Sequence, residues 1–453
     1  LKPRRMSNYY SRREALKTLG LALGSALPLS VLAQDEYGQP LHLPAAQGPR
    51  TSKTITAITL GAGNRGNVYG NYSLAYADQL DIIGVAEPID IRNERYAEAH
   101  NIKKKNRFTT WEHVFERPKF ADAIIITTPD DLHYGPCMKA LEMGYDVLLE
   151  KPIAPTEQEC RDILQRAQET GRIVAVCHVL RYAPYFEKLR ELMHDGSIGQ
   201  LISLQHFEPI QHVHMSHSFV RGNWHDSKAT TPIILAKSCH DLDMMRWLVD
   251  SPCEEVHAFG DLAWFKFENA PEGSTERCID GCAVEHECPY SAKRIYHEKR
   301  TWLHHFDLPE DPAQHGEAIM EYLRSSNYGR CVYRMENDQP DHYTMNLKFE
   351  NGVTATFNME AFTSYHGRRT RVMGSMGDIV GDMESFTYTD FRTGEQQHWS
   401  HSSDSHGGGD WRLVSDFLAA VDARDPNLLT STIDASVESH LMGFEAEKSR
   451  LKA

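Results

Sequence analysis

The sequence has no internal repeat and no low-complexity tract, so its 453 residues are not copies of one small unit. It also lacks a basic excess. Lys and Arg number 48 against 63 Asp and Glu, a formal net charge of −15. Residues 1–33 carry six basic side chains and one acid, a net of +5 that leaves −20 on the remainder. Such an acidic body repels polyanions, so neither nucleic acid nor an anionic membrane is expected as a partner. The N-terminal apolar run, Leu19 to Leu32, is shorter than the roughly 20 residues of a comfortable bilayer span, and no integral membrane association is expected. What is present is ordinary globular composition, 41% hydrophobic and 25% charged, over a length too great for one core and sufficient for two domains.

The most informative stretch is Ile55 to Gly66, ITAITLGAGNRG. A short apolar strand enters a turn with Gly61, Gly63 and Gly66, and a helical pattern follows. This is the dinucleotide fingerprint in its setting of strand, turn and helix. Gly61 permits the turn, Gly63 lets backbone approach a pyrophosphate, and Gly66 lets the helix pack close. Asn64 and Arg65 open a helix whose N-terminus presents free N–H groups to phosphate. A second apolar run ends in Glu87, twenty-one residues after Gly66, where an acid bonds the adenosine ribose. NAD is therefore the expected cofactor, while Arg92 and Arg95 keep NADP open. A third run, Ala123 to Thr127, leads to Thr128, Pro129 and His133 at the edge where ligands of parallel α/β sheets bind. Asp146 to Leu149 ends similarly in Glu150-Lys151-Pro152.

GAGNRG, VAEP, TTPDDLH, LLEKP and HVLRY, followed by HSFVRGNW and AKSCHDLD, occur in an order and spacing that resembles the Gfo/Idh/MocA oxidoreductase family, over roughly residues 55 to 450. The resemblance implies an α/β fold with an N-terminal Rossmann domain and a C-terminal α/β domain built on a large, mostly antiparallel open sheet. It implies oxidation or reduction of a hydroxyl or keto carbon of a sugar or sugar derivative with NAD or NADP. Lys151 is placed beside substrate and nicotinamide, where its charge stabilises a developing alkoxide. His240 becomes the general base, with Asp243 on the same helix face to orient it. Many family members carry aspartate four residues before this histidine. Here Ala236 stands there with Lys237 beside it, so either Lys237 polarises the substrate or the base works without that carboxylate. Two rival functions use the same parts: glycoside cleavage by transient oxidation, elimination, addition and reduction on a tightly held NAD, and sugar binding without chemistry. The family's exposed sheet faces imply a homo-oligomer.

The second domain opens with a strand-like alternation, LISLQHF, and a run of histidines at 206, 212, 214, 217 and 225. Without a sharp ligand spacing these read as a polyhydroxy-substrate loop rather than a metal site. His217, Arg221 and Trp224 offer donors and an aromatic face, and His178, Arg181, Tyr182 and Asp243 are expected on the same cleft. His406, in a glycine-rich loop before a helix capped by Asp410, is a further substrate contact implied by the family. Cys278, Cys282 and Cys288 lie in a polar, turn-rich segment, with Cys331 forty-three residues later. They fit a structural zinc or iron–sulfur site, disulfides, or free thiols; the spacing matches neither a zinc ribbon nor a ferredoxin run. The other five cysteines sit in helical or strand patterns as plain buried residues.

At the N-terminus, Ser11-Arg12-Arg13-Glu14-Ala15-Leu16-Lys17, the apolar run and Val31-Leu32-Ala33 resemble a twin-arginine export signal; the alternative is an amphipathic helix. That pathway carries folded proteins, which suits a chain that binds its dinucleotide first. The expected organisation is a signal peptide over 1–33, a linker over 34–53, a Rossmann domain over 54–178, and a substrate domain over 179–453 with a Cys-rich insertion at about 268–335. The expected location is periplasmic or otherwise exported.

Overall fold

The computed structural model describes residues 50–309, 311–401 and 408–452. The signal segment, most of the linker and His406 lie outside the described residues.

The first half alternates strand and helix: β1 (Ile55–Leu60), α1 (Asn64–Ala75), β2 (Leu80–Ala86), α2 (Asp90–Ala99), β3 (Arg107–Phe108), α3 (Trp111–Phe115), β4 (Ala123–Ile126), α4 (Tyr134–Glu142), β5 (Asp146–Leu149), α5 (Glu157–Thr170) and β6 (Val174–Val176). The six strands are parallel in the order β3-β2-β1-β4-β5-β6, the doubly wound arrangement. Both faces are covered, which is why β4 and β5 are buried at every position and read as continuous apolar runs. Ile58, Leu60, Ile124, Ile126, Val147 and Leu149 face one core, and Ala57, Ile125 and Leu148 face another. Thr156 and Glu159 form a reciprocal capping box at the start of α5.

α6 (Pro184–His194) leads into β7 (Leu201–Pro209), then α7 (Cys239–Val249), β8 (Cys253–Asp261), an insertion containing α8 (His315–Ser325), and β9 (His342–Phe349) to β14 (Gln396–Ser400). With β10 (Thr354–Glu360), β11 (Arg369–Gly374), β12 (Gly377–Gly381) and β13 (Ser385–Asp390) between them, eight strands form one sheet in the order β14-β13-β12-β11-β7-β10-β9-β8. β10 runs parallel to β7, and every other neighbour is antiparallel. β9 alternates buried and exposed residues, as a half-covered antiparallel sheet requires. The expected fold class is thus the observed one. The β9–β10 hairpin closes through Glu350-Asn351-Gly352, with Gly352 at φ +85°.

The insertion builds its own small core from Ile295, Tyr296, Trp302, Phe306, Ile319, Leu323 and Tyr328. The final two helices, α9 (Gly409–Ala423) and α10 (Ile433–Arg450), return to the nucleotide-binding half. α9 gives Trp411, Leu413, Val414 and Phe417 to the core that holds Tyr69 and Tyr72. α10 lies against α5 and β8, with Lys448 Nζ 2.8 Å from Glu157.

Candidate active site

The glycine turn is shaped by its surroundings. Gly61 sits at φ +90°, and a Cβ there would lie 2.6 Å from the Thr127 carbonyl oxygen. At Gly66 a Cβ would lie 2.2 Å from the Gly61 oxygen, whereas at Gly63 it would meet nothing within 4 Å. Glycine at 61 and 66 is therefore demanded by the protein itself. At 63 it leaves bare backbone facing open space, as close approach of a phosphate requires. No side chain caps the first turn of α1, so its N–H groups remain for an anion. Glu87 is buried and accepts from Ala62 N at 2.8 Å and Ile89 N at 2.9 Å, which fixes the acid at the end of β2 beside the turn. Arg92 is committed elsewhere, forking onto Asp307 of the insertion at 3.1 and 2.9 Å.

Arg65 does not project freely toward a cofactor. Its Nε donates to Glu150 at 2.6 Å and its Nη2 to Tyr69 and Asp410, tying α1 to the end of β5 and to the first turn of α9. Asp410, expected as a helix cap, lies one residue inside α9, which begins after Gly408. Burial alone would raise the Glu150 carboxyl, but the Arg65 and Lys151 charges outweigh it and hold Glu150 below the ordinary glutamate value. Thr128 bonds the Leu132 carbonyl and, through its own carbonyl, the His133 ring. Pro129 precedes the turn that follows. His133 is buried and links Thr128 O and Pro152 O, at 2.9 and 2.7 Å, joining the two loops that follow β4 and β5.

Lys151 reaches across to the second domain. Its Nζ donates to the Ala236 carbonyl at 2.9 Å, immediately before the turn that opens α7 with His240 on its second residue. Three histidine rings gather behind it. His178 stands 5.9 Å from His240 and 5.5 Å from His440, ring centre to ring centre. Burial, with Arg181 and Lys151 nearby, outweighs the opposing Asp243 and Glu150 and lowers His178 to about 4. Burial and the neighbouring His178 lower His440 to about 3. His440 accepts from Ile153 N through Nε2 and faces the Ser436 carbonyl through Nδ1, the pattern of a neutral ring.

Asp243 takes a different partner from the one its helical spacing suggests. Arg181 grips both its oxygens at 2.7 and 2.6 Å, and the nearest histidine ion-pair distance is 3.8 Å, to His178 rather than His240. A bidentate guanidinium outcompetes a single imidazole for a buried carboxylate. Tyr182 is also buried, its hydroxyl accepting from Ser431 N. Lys237 pairs at 3.6 Å with Glu208 of β7, which Arg368 also meets at 3.0 Å. Arg368 and His206 hold Asp241, despite its burial, at about 2. Composition and spacing gave no sign of this buried charge network; the alternation of β7 puts His206 and Glu208 on one face. Asp130, also missed though inside the TTPDDLH motif, accepts from Trp224 Nε1 and Thr231 Oγ1, each at 2.8 Å, and so joins the two domains.

Two expected substrate contacts are drawn into the insertion. His217 is fully buried, bonded to Tyr296 and ringed by Trp302, His305 and Tyr328. Arg221 is 1% exposed and bonds the Arg330 and Tyr290 carbonyls. Among the described residues no group of three or more His, Cys, Asp or Glu is assembled to hold a metal ion, so the zinc or iron–sulfur expectation finds no formed ligand set. All nine cysteines are free thiols.

Residues 55–178 match the NAD-binding Rossmann fold of the Gfo/Idh/MocA oxidoreductases, and residues 190–440 match their C-terminal alpha/beta domain. The chain belongs to the Gfo/Idh/MocA family. Within this Gfo/Idh/MocA protein, Bacillus subtilis (strain 168) YteT is matched at 24% identity over 319 residues, 66% of this chain and 73% of YteT. The scyllo-inositol 2-dehydrogenase (NAD(+)) of the same strain is matched at 26% over 208 residues, 46% of this chain and little more than half, 58%, of that enzyme. Levoglucosan dehydrogenase, in complex with NADH and levoglucosan, has a similar fold, with a TM-score of 0.65 at 15% identity over 88% of this chain and 98% of that one.

Proposed function

We propose that this protein is an NAD-dependent oxidoreductase acting on a hydroxyl or keto carbon of a sugar or cyclitol. The observation that carries the reading is the contact of Lys151 with Ala236 O, which brings an ammonium from the nucleotide-binding sheet to the turn presenting His240. The family's NAD-binding fold and the dehydrogenases among its relatives support the reaction class. The residues fit the cofactor: Gly63 leaves open backbone at a helix N-terminus, and Glu87 is fixed beside the turn. NAD is favoured over NADP because an acid stands at the ribose position and Arg92 is already paired with Asp307. When bound, NAD supplies the hydride acceptor.

Lys151 lowers the pKa of the substrate hydroxyl and stabilises the oxyanion that develops as the proton leaves. His240 takes that proton and returns it in the reverse direction. Lys237, paired with Glu208, adds positive charge beside Ala236. The outer sheet face, with Ile202, Phe259 and Val380 exposed, supports self-association. The twin arginines at 12 and 13, the apolar run and the Val31-Leu32-Ala33 site support export as a folded protein.

The test is to quantify nucleotides released by denaturing the purified protein, then to follow NADH formation with a panel of free sugars, cyclitols and glycosides. Sugar-dependent NADH accumulation that is lost in Lys151→Ala and His240→Ala, with NAD binding kept, is the expected outcome. Glycoside cleavage with no net NADH, or turnover unchanged in both variants, overturns it.

A further inference from the structure

Cys278, Cys282, Cys288 and Cys331 come from separate turns yet line one small, mostly enclosed cavity of about 10 Å³, room for a single water-sized body. Two are held by backbone pairing: Cys278 N donates to Gly329 O and Cys331 N to Glu276 O, around the Arg277–Arg330 bridge. The other two share one tight turn, in which Glu285 N bonds Cys282 O and Cys288 N bonds Val284 O.

Arg221 forms part of the cavity wall, and its charge is unexplained by the rest of the fold. Its Nε and Nη2 donate to carbonyl oxygens at 2.7 Å, and Nη2 also lies 3.6 Å from Cys278 Sγ. Its Nη1 is buried without a hydrogen-bond partner, and among the described residues no salt bridge reaches it. Glu285, also on the wall, is occupied by Ser291 and Lys293. A buried guanidinium with no counter-charge costs several kcal/mol in general. Neutral thiols do not supply that charge, and neither do disulfides; only thiolates do. A soft divalent cation bound by the four sulfurs supplies it, because it displaces the thiol protons and leaves a centre of net negative charge facing Arg221.

We propose that these four cysteines bind one zinc ion as a tetrathiolate, with Arg221 as its charge partner. Four S–H bonds break, four S–Zn bonds form, and four protons leave to solvent; no electron is transferred. The sulfurs are not yet gathered as a ligand set, so binding draws the 282–288 turn onto the Cys278–Cys331 pair. The cavity has room for a single ion. The ion staples the insertion at the point where Arg221 anchors it.

The experiment is elemental analysis of the full-length protein purified from zinc-supplemented medium, with intact mass under denaturing, non-reducing conditions. One zinc per chain, with all nine thiols reduced, is expected, and Cys278→Ser or Cys331→Ser abolishes zinc retention. Arg221→Gln weakens zinc affinity at least tenfold by competitive chelation. Because the serine variants can fail to fold, wild-type protein refolded with cobalt serves as a second readout, with the intense visible absorption of tetrathiolate cobalt expected. Protein without zinc, a mass lower by 2 or 4 hydrogens, or a cobalt spectrum lacking thiolate absorption overturns the proposal.

Discussion

Acidification should unfold this protein through two histidines. His178 and His440 are fully buried, and their pKa values fall to about 4 and about 3. The unfolded chain has ordinary histidines near 6.5. Between that value and about 4, the unfolded state binds protons that the folded state refuses, so stability falls as pH falls. It is fully present above pH 6.5 and stops falling only once the folded rings themselves take up protons. Going from pH 6.5 to 4.5 spans two units per ring, which amounts to between 2 and 3 kcal/mol each and ~5 kcal/mol for the two. That is a third or more of typical domain stability. Guanidinium unfolding followed by tryptophan fluorescence at pH 7.5, 6.0, 5.0 and 4.5 measures the loss. The control is His440→Gln, which lowers stability at pH 7.5 but should lose roughly 2–3 kcal/mol less on acidification. Equal pH slopes for wild type and variant would refute the claim that these rings are held neutral.

Three further outcomes follow from the geometry. Lys151→Met should lower kcat by about 10²–10³-fold while NAD binding, read by fluorescence titration, stays within a few-fold. Gly61→Ala places a Cβ 2.6 Å from Thr127 O at φ +90°, so NAD affinity should collapse and Tm should drop. Arg181→Met strands Asp243 as a buried charge and should destabilise the fold by ~3–5 kcal/mol, with much of this recovered in Arg181→Met/Asp243→Leu, both measured by chemical unfolding.

The nucleotide-binding half is legible in the sequence because its signals are local. A strand, three glycines and a helix are contiguous, and Gly61 and Gly66 are compelled by atoms within the same βα unit and its neighbour strand. The β9–β10 hairpin is readable for the same reason. Partner choice among buried charges is not local. Three residues of helical spacing set Asp243 beside His240, yet the winning partner, Arg181, is 62 residues away. The histidines of residues 206–225 resemble one loop in sequence, but His206 joins Asp241 beneath the sheet while His217 enters an aromatic cluster supplied by residues about 80 to 110 positions downstream. Arg221 likewise goes to carbonyls of the insertion, a destination set by a fold that its own neighbourhood does not encode.

The return of α9 and α10 to the first sheet has a consequence for biogenesis. Trp411, Val414 and Phe417 complete a core begun at Ile55, Thr432 bridges to Ala175, and Ser431 bonds the Val176 carbonyl. During synthesis the nucleotide-binding half keeps an uncovered apolar face until α9 and α10 emerge from the ribosome. Its folding is therefore completed only once α9 and α10 are available. A stop just before α9 would damage the nucleotide-binding domain, although the residues lost lie more than 200 positions downstream of it.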